Sequence, residues 1–283
     1  GAGADTVAGG GGDDNINGGD GDDVLDGGTG NDTMAGGAGD DLFAVSDGDG
    51  ADEIDGGADT DTLDASTVTG TLTLTPDLVD GTFNLADGGL IDIDSINGGV
   101  ENVIAGTGVG NLIDYGPNFL AGNLVAADLD TGIVTGLTGG TATGFQNLTG
   151  GADNDNLNGN DLDNDIDGGD GADTIAGLGG NDNLTGGDGD DVLDGGSGDD
   201  ALDGGIGTDL ADYSLSTSDV TVDLTAGTAS GGDIGNDTVT NTENVDTGTG
   251  ADNVTGDDGN NVINSGAGAD TVAGGGGDDN IDG

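Results

Sequence analysis

Gly18-Gly19-Asp20-Gly21-Asp22-Asp23-Val24-Leu25-Asp26 reads as G-G-x-G-x-D-x-U-x, with U a bulky apolar residue, and five copies of that nine-residue phrase fill the first 45 residues. Its sixth place is a carboxylate held in a glycine turn. Glycine permits positive φ and a close approach of main-chain carbonyls, so such a loop can wrap around an ion. The chemistry this predicts is hard-cation binding, with carboxylate and carbonyl oxygens at roughly 2.3 to 2.6 Å from calcium; magnesium demands tighter octahedral geometry and keeps its water.

In frames of nine, the first block runs from Gly1 through Gly9, Gly18, Gly27 and Gly36 to Ala44 without a slip, with Asp5, Asp14, Asp23, Asp32 and Asp41 in the sixth place. Two weaker copies follow: Asp52 and Ile54 hold the carboxylate and apolar places in one, Asp61 and Leu63 in the other, where Asp59 replaces the central glycine. A second block opens at Gly150 with a degenerate copy carrying Asp155. It is clean through Asp173, Asp182, Asp191 and Asp200, and closes with Asp209. A third block carries Asp252, Asp270 and Asp279, while Asn164 and Asn261 stand where an aspartate belongs and leave two turns without the carboxylate. The sixth-place aspartates are the candidate calcium ligands, together with turn carbonyls around Gly9, Gly18, Gly27, Gly36, Gly168, Gly177, Gly186 and Gly195. Aspartates in the fifth and ninth places, such as Asp22 and Asp26, read as outward-facing and unligated.

The elements that position these carboxylates follow from the last three places. There x-U-x forms a short strand whose apolar residue points inward. Two repeats make a coil with a turn on each side, and coils stack as parallel strands about 4.8 Å apart. Stacking pairs Asp5 with Asp23, Asp14 with Asp32, Asp23 with Asp41, Asp173 with Asp191, Asp182 with Asp200 and Asp252 with Asp270, with an ion between coils. Leu25, Met34, Phe43, Ile175, Leu184, Leu193 and Leu202 form the thin core. Alternation in Thr71-Leu72-Thr73-Leu74-Thr75 and Val220-Thr221-Val222-Asp223-Leu224 signals half-buried strands in the segments between blocks. Those segments end on a shared phrase: Val100-Glu101-Asn102-Val103, Phe145-Gln146-Asn147-Leu148 and Thr242-Glu243-Asn244-Val245. The organisation expected is a β-roll block over 1–64, strand insertions over 65–149, a block over 150–212, an insertion over 213–247 and a block over 248–283.

Composition agrees with an external counter-ion. The 283 residues hold 58 acidic side chains and no Lys, Arg, His or Cys, a formal charge of -58. Carboxylates a few Å apart repel by several kcal/mol at an effective dielectric of about 20. With 68 glycines and 2% aromatics, a non-repetitive chain of this kind would be disordered; periodicity allows thin stacked layers instead. Absence of basic residues argues against nucleic acid and anionic membranes as partners, and no apolar run is long enough to insert in a bilayer. Absence of cysteine fits an extracellular protein held by metal. The chain reads as a window from a longer polypeptide.

The iterated nonapeptide resembles the RTX family, the hemolysin-type calcium-binding repeats. The segment from Leu210-Ala211-Asp212-Tyr213-Ser214 through Val220-Thr221-Val222-Asp223-Leu224 to Glu243-Asn244-Val245 is similar to spacers between RTX blocks. The resemblance implies an all-β fold, a right-handed parallel β-roll or β-solenoid interrupted by β-strand insertions, which binds several Ca2+ ions. It also implies one-step (type I) secretion in an unfolded state, with folding on meeting calcium outside.

Without imidazole, amine, thiolate or cationic clamp, an enzyme is not expected; with 58 acids, paired carboxylates arise by number alone and do not point to glycoside hydrolysis. Tyr115, Phe119, Phe145 and Tyr213 lie at insertion boundaries, where an aromatic plug is favoured over a sugar platform. Outward residues such as Thr6 and Ala8 build no threonine ladder of the ice-binding kind. Gly1 to Gly18 returns at Gly266 to Gly283 with Asn17 changed to Asp282, an offset of 265 residues, so tandem copies or end-to-end self-association are expected. The reading is an extracellular, cell-surface calcium-binding structural module, a rigid segment of a fibre, filament, adhesin stalk or S-layer protein. The alternatives are a calcium-folded accessory module of a secreted enzyme or toxin, and a carbohydrate-binding adhesin region, for which a surface polysaccharide would be the partner.

Overall fold

The computed structural model describes residues 1–46, 48–59, 61–68 and 145–283, with backbone alone at 51. Between 69 and 144 it describes the backbone of strands Thr73–Asp77, Thr82–Ala86, Ile91–Asn97, Val100–Ile104, Leu112–Asp114, Ala126–Asp128, Ile133–Val134 and Ala142–Thr143. Tyr115 and Phe119 lie outside the described residues. All regular secondary structure among those described is β-strand, and the chain divides into two compact units, 1–115 with 127–147, and 116–126 with 148–283.

In the first unit, each repeat contributes one short strand, and successive strands alternate between two sheets. Thr6–Gly11, Val24–Thr29, Leu42–Ala44 and Asp61–Asp64 pair in parallel on one side; Asn15–Asp20, Thr33–Ala38 and Gly50–Ala58 do so on the other. The x-U-x pattern sets the register. Val7, Leu25, Phe43 and Leu63 are partners in one row, and Ile16, Met34 and Ile54 in the facing row. Leu25, Phe43, Ile54 and Leu63 are fully buried, and Ile16 and Met34 nearly so. After Ala44 the spacing changes: Met34 pairs with Ile54 and Phe43 with Leu63, twenty residues on instead of eighteen. Two extra residues in the turn near Ser46 are absorbed there, and Asp49 closes it by accepting the Ser46 hydroxyl at 2.8 Å.

The second unit repeats the plan as a parallel β-solenoid. Leu157, Ile175, Leu193, Ala211, Val245, Ile263 and Ile281 stack in one sheet, and Ile166, Leu184, Leu202 and Val239 in the other. Leu25, Met34, Phe43, Ile175, Leu184, Leu193 and Leu202, the core expected from the repeat, are all buried, whereas Ile281 is exposed.

The third insertion is an antiparallel detour. Val220–Asp223, Thr228–Gly231 and Gly235–Thr240 form a meander in which the last strand pairs in parallel with Ala201–Ile206 and the first with Asn253–Thr255. Val220 and Val222 are buried and Thr221 is exposed, the half-buried alternation expected. On the opposite sheet Leu210–Tyr213 pairs directly with Asn244–Thr247. The backbone around Thr73–Asp77, Thr82–Ala86 and Ile91–Asn97 makes the same meander in the first unit.

Leu193 is fully buried between Ile175 and Ala211. Leu193→Ala is expected to cost about 2–5 kcal/mol in denaturant unfolding at saturating calcium. The outward Thr174→Ala should stay within about 0.5 kcal/mol.

Candidate metal centre

The sixth-place carboxylates form a ladder from coil to coil. Each uses one oxygen to accept the main-chain amide of its counterpart in the preceding coil. Asp5 donates to Asp23 at 2.7 Å, Asp14 to Asp32 at 2.7 Å and Asp23 to Asp41 at 2.8 Å; after the two-residue expansion, Asp32 donates to Asp52 at 2.9 Å and Asp41 to Asp61 at 2.8 Å. In the second unit Asp155 donates to Asp173, Asp173 to Asp191, Asp182 to Asp200 and Asp191 to Asp209, at 2.7 to 2.8 Å. Asp252 accepts from Val220 and Asp270 from Asp252. The expected pairs are therefore joined, amide to carboxylate.

The other oxygen is the notable one. Oδ2 of Asp14, Asp23, Asp32, Asp41, Asp52, Asp173, Asp182, Asp191, Asp200, Asp209 and Asp252 is buried and has no hydrogen-bond partner. In all of these but Asp52 and Asp252 it lies over the first glycine of its own turn, where a side chain cannot fit. A Cβ on Gly18 would stand 2.2 Å from Asp23 Oδ2 and 2.8 Å from the carbonyl oxygen of Gly36; on Gly168, 2.3 Å from Asp173 Oδ2 and 2.6 Å from Gly186 O. Gly9 and Gly27 with Asp14, Gly177 and Gly195 with Asp182, and Gly186 and Gly204 with Asp191 repeat the arrangement, as Gly27 with Asp32, Gly36 with Asp41 and Gly195 with Asp200 do for the carboxylate alone or with another turn's carbonyl. Among the described residues no three carboxylates converge; the donor set at each turn is one carboxylate with main-chain oxygens.

A buried carboxylate oxygen without a donor is costly unless a cation or a proton meets it, and the chain has no Lys, Arg or His to supply the charge. Burial first, and neighbouring carboxylates after it, raise the pKa of Asp52 and Asp209 to about 6 and of Asp173 and Asp182 to about 7; Asp41, Asp191 and Asp200 move in the same direction. All-oxygen turns with an orphaned carboxylate oxygen fit a hard cation of calcium's kind.

Not every turn is alike. Asp5, Asp14, Asp270 and Asp279 are partly exposed. Ser265 donates to Asp270 Oδ2 at 3.3 Å, and the Gly151 amide to Asp155 Oδ2 at 2.6 Å. At Asn164 and Asn261 a neutral amide takes the place: Asn261 Oδ1 accepts the Asp257 amide at 3.0 Å and its Nδ2 donates to the Glu243 carbonyl at 2.7 Å. Those turns are satisfied by the protein itself.

Two features were not anticipated. Asp237 and Glu243 extend the ladder through the insertion, accepting the amides of Asp200 at 3.0 Å and Asp209 at 2.9 Å. The signal was present as half-phrases, Gly235-Asn236-Asp237-Thr238-Val239-Thr240 and Glu243-Asn244-Val245. Fifth-place side chains, read as outward-facing and unligated, are exposed and form a second ladder of opposite sense: Asp22 accepts from Asp40 of the next coil at 3.1 Å, Asp163 from Asn181 at 2.8 Å and Asp190 from Thr208 at 2.9 Å. Phe145 and Tyr213 are buried, in keeping with plugs.

The family model of the RTX calcium-binding nonapeptide repeat, in four copies, matches residues 1–34, 8–43, 27–63, 143–175, 176–211 and 246–281, more than half of the chain. The chain belongs to this family. As an RTX protein it is a calcium-binding repeat module, and the half-used carboxylates are its repeat's sixth-place residues. No curated protein matches it. Among the described residues no helix is long and apolar enough to cross a membrane.

Two tests follow from the geometry. Gly177 is not among the glycines of positive φ, so Gly177→Ala acts by placing a methyl 2.2 Å from Asp182 Oδ2 and 2.7 Å from Gly195 O. It should raise the calcium midpoint of folding followed by circular dichroism, whereas Gly179→Ala, whose nearest contact is 3.3 Å away, should not. The second test is pH. Aspartates titrate near 3.9 when unfolded, and folded values of about 6 to 7 at Asp52, Asp173, Asp182 and Asp209 mean that folding takes up protons. In chelator their contribution is therefore complete below about pH 4 and lost as pH rises through about 6 to 7. In protein stripped of calcium and dialysed into calcium-free buffer, the β signal in far-UV circular dichroism should be stronger at pH 4 than at pH 8; the reverse order would contradict the burial of these groups.

Proposed function

We propose that this chain is an extracellular, load-bearing segment of a surface fibre, filament, adhesin stalk or S-layer, folded by several calcium ions. The observation that carries the reading is the column of buried carboxylates, each with one oxygen unpartnered, in a chain without a single cationic side chain. In this reading the ions lie between coils, held by Oδ2 of the sixth-place aspartates of the clean repeats, from Asp14 to Asp41 and from Asp173 to Asp209, and by the carbonyls of the glycine turns. Calcium that binds only the stacked coil contributes its binding free energy to folding. A module of this kind working at about 10⁻⁴–10⁻³ M calcium folds outside the cell and stays unfolded during export.

Composition and repeat suit a mechanical role better than a catalytic one. The side chains offer no base, nucleophile or cationic clamp beyond carboxylates, and within each unit the repeats pair as parallel strands in two rows. The return of Gly1 to Gly18 at Gly266 to Gly283 supports continuation of the roll by further copies, since a coil of the same sequence offers the same register to whatever stacks on it.

Removal of calcium by a chelator at neutral pH is expected to abolish the β signal in far-UV circular dichroism, and millimolar calcium to restore it; a spectrum indifferent to the chelator would sink the proposal. Electron microscopy should show calcium-dependent filaments, and dispersed single particles at every calcium concentration would remove the fibre from it.

A further inference from the structure

Leu178 holds a backbone conformation that leucine rarely adopts. Its φ is 74°, and among the described residues the other non-glycine residues of positive φ are Asp59 and Asn241, of the short polar kind that enters the left-handed region by bonding locally. A bulky side chain there is strained. The second place of neighbouring turns is glycine, at Gly169, Gly187, Gly196 and Gly205, each with positive φ, so glycine would fit at 178 without strain. The leucine gains no core in exchange, since it is 44% exposed.

Leu178 lines a cleft of about 250 Å³ in the second unit. Leu215, 81% exposed, lines it too, and Ile234 and Tyr213, both buried, complete its apolar wall. The loop that carries Leu215 is braced. The Ser216 amide donates to the Tyr213 carbonyl at 3.0 Å, and Asp233, in the turn of the meander, accepts the Ser216 hydroxyl at 2.6 Å, the Thr217 amide at 2.8 Å and the Ser218 hydroxyl. Leu215 is thus held in water by a fastened loop. A strained leucine and a braced one, both exposed and both on one cleft, make a surface built to be covered.

The occupant is selected by charge. Asp194 and Asp233 belong to the same lining. The hydroxyls of Ser216 and Ser218, and then the Thr217 amide, hold the Asp233 carboxyl well below the usual carboxylate range, so the charge stays in place in acid. A second copy of this chain brings no Lys, Arg or His and would meet the cleft with like charge. A lysine or arginine side chain fits both halves of it, because its methylene stem lies along apolar surface while its charged head stays at the rim.

We propose that this cleft docks a segment of another protein in which a lysine or arginine is flanked by apolar residues, with Leu178, Leu215 and Ile234 taking the apolar part and Asp194 and Asp233 facing the cation. The site lies outside the nonapeptide's calcium chemistry and gives the structural module a protein partner.

The test uses the whole chain in millimolar calcium and the peptide acetyl-Gly-Leu-Lys-Leu-Gly-amide as probe. Amide shift changes in nitrogen–proton correlation spectra are expected to gather at Leu178, Ser197, Leu215 and Ile234. Glutamate in place of the peptide's lysine should abolish binding, and serine in place of its leucines should weaken it several-fold. Leu215→Ser should weaken binding several-fold with the far-UV spectrum kept. Leu178→Gly should do so without lowering the Tm in calcium; a lower Tm would make Leu178 a packing residue and overturn its role. No binding, shifts scattered over the acidic faces, a serine peptide that binds as well as the leucine one, or an affinity indifferent to Leu215→Ser overturns the site. Self-association that moves the same amides without peptide and is lost in Leu215→Ser would give the cleft to a second copy and overturn the proposal as well.

Discussion

Each coil is tied to the next by a carboxylate that is only half used. One oxygen accepts the amide of the coil before, as Asp23 does from Asp5 and Asp191 from Asp173; the other points over a glycine and finds no donor. Backbone amides in a buried turn must find acceptors, and aspartate supplies one that reaches from the neighbouring coil. The same geometry buries a charge that nothing in the chain can neutralise. Wherever the sixth place is an aspartate, stacking and cation demand therefore come together.

The glycines belong to that constraint. Gly19 and Gly21, at φ of 113°, turn the chain tightly, but the first glycine of each turn serves a different end, since its missing Cβ is the space that Oδ2 and a neighbouring carbonyl occupy. Glycine also loses more conformational freedom on folding than any other residue. A core of one apolar side chain per repeat offers little against that loss, so the calcium-free fold is expected to be weak, with protons as the substitute counter-charge at low pH. The fifth-place ladder runs the other way, from the later coil's amide to the earlier coil's carboxylate. Adjacent amides in a turn thus engage opposite neighbours, which holds a coil from both sides.

Much of this was legible because the period is rigid. Nine residues per strand and eighteen per coil put Leu25 on Phe43 and Leu184 on Leu202, and the same arithmetic pairs the sixth-place aspartates. What escaped it lies where the count breaks. The twenty-residue coil near Ser46 keeps its ladder through Asp52 and Asp61. Asp237 and Glu243 join at separations of 37 and 34 residues. No periodic reading reaches those partners, because an antiparallel detour sets the spacing. The fifth-place ladder was hidden for another reason: an exposed aspartate in a glycine turn looks the same in sequence whether or not a neighbouring amide reaches it.

The asparagines show how the ladder crosses an insertion. Glu243 is a sixth-place acid with one more methylene, and its carboxylate accepts the Asp209 amide while its own amide turns back to the Asp209 carbonyl at 3.2 Å. In an ordinary coil the carbonyl of the sixth residue accepts an amide from the next coil, as Asp23 does from Leu42 at 2.8 Å. Here Asn244 Oδ1 takes that amide, from Val262 at 2.9 Å, and leaves the Glu243 carbonyl free. An aspartate at 261 would bring a carboxylate against that carbonyl, acceptor against acceptor; asparagine brings a donor, and Nδ2 closes the gap at 2.7 Å. The Glu-Asn phrase and the asparagine eighteen residues later are thus parts of one device, which passes the stack from a coil that needs a cation to one that does not. Gln146-Asn147 and Asn164 stand at the same spacing in the sequence.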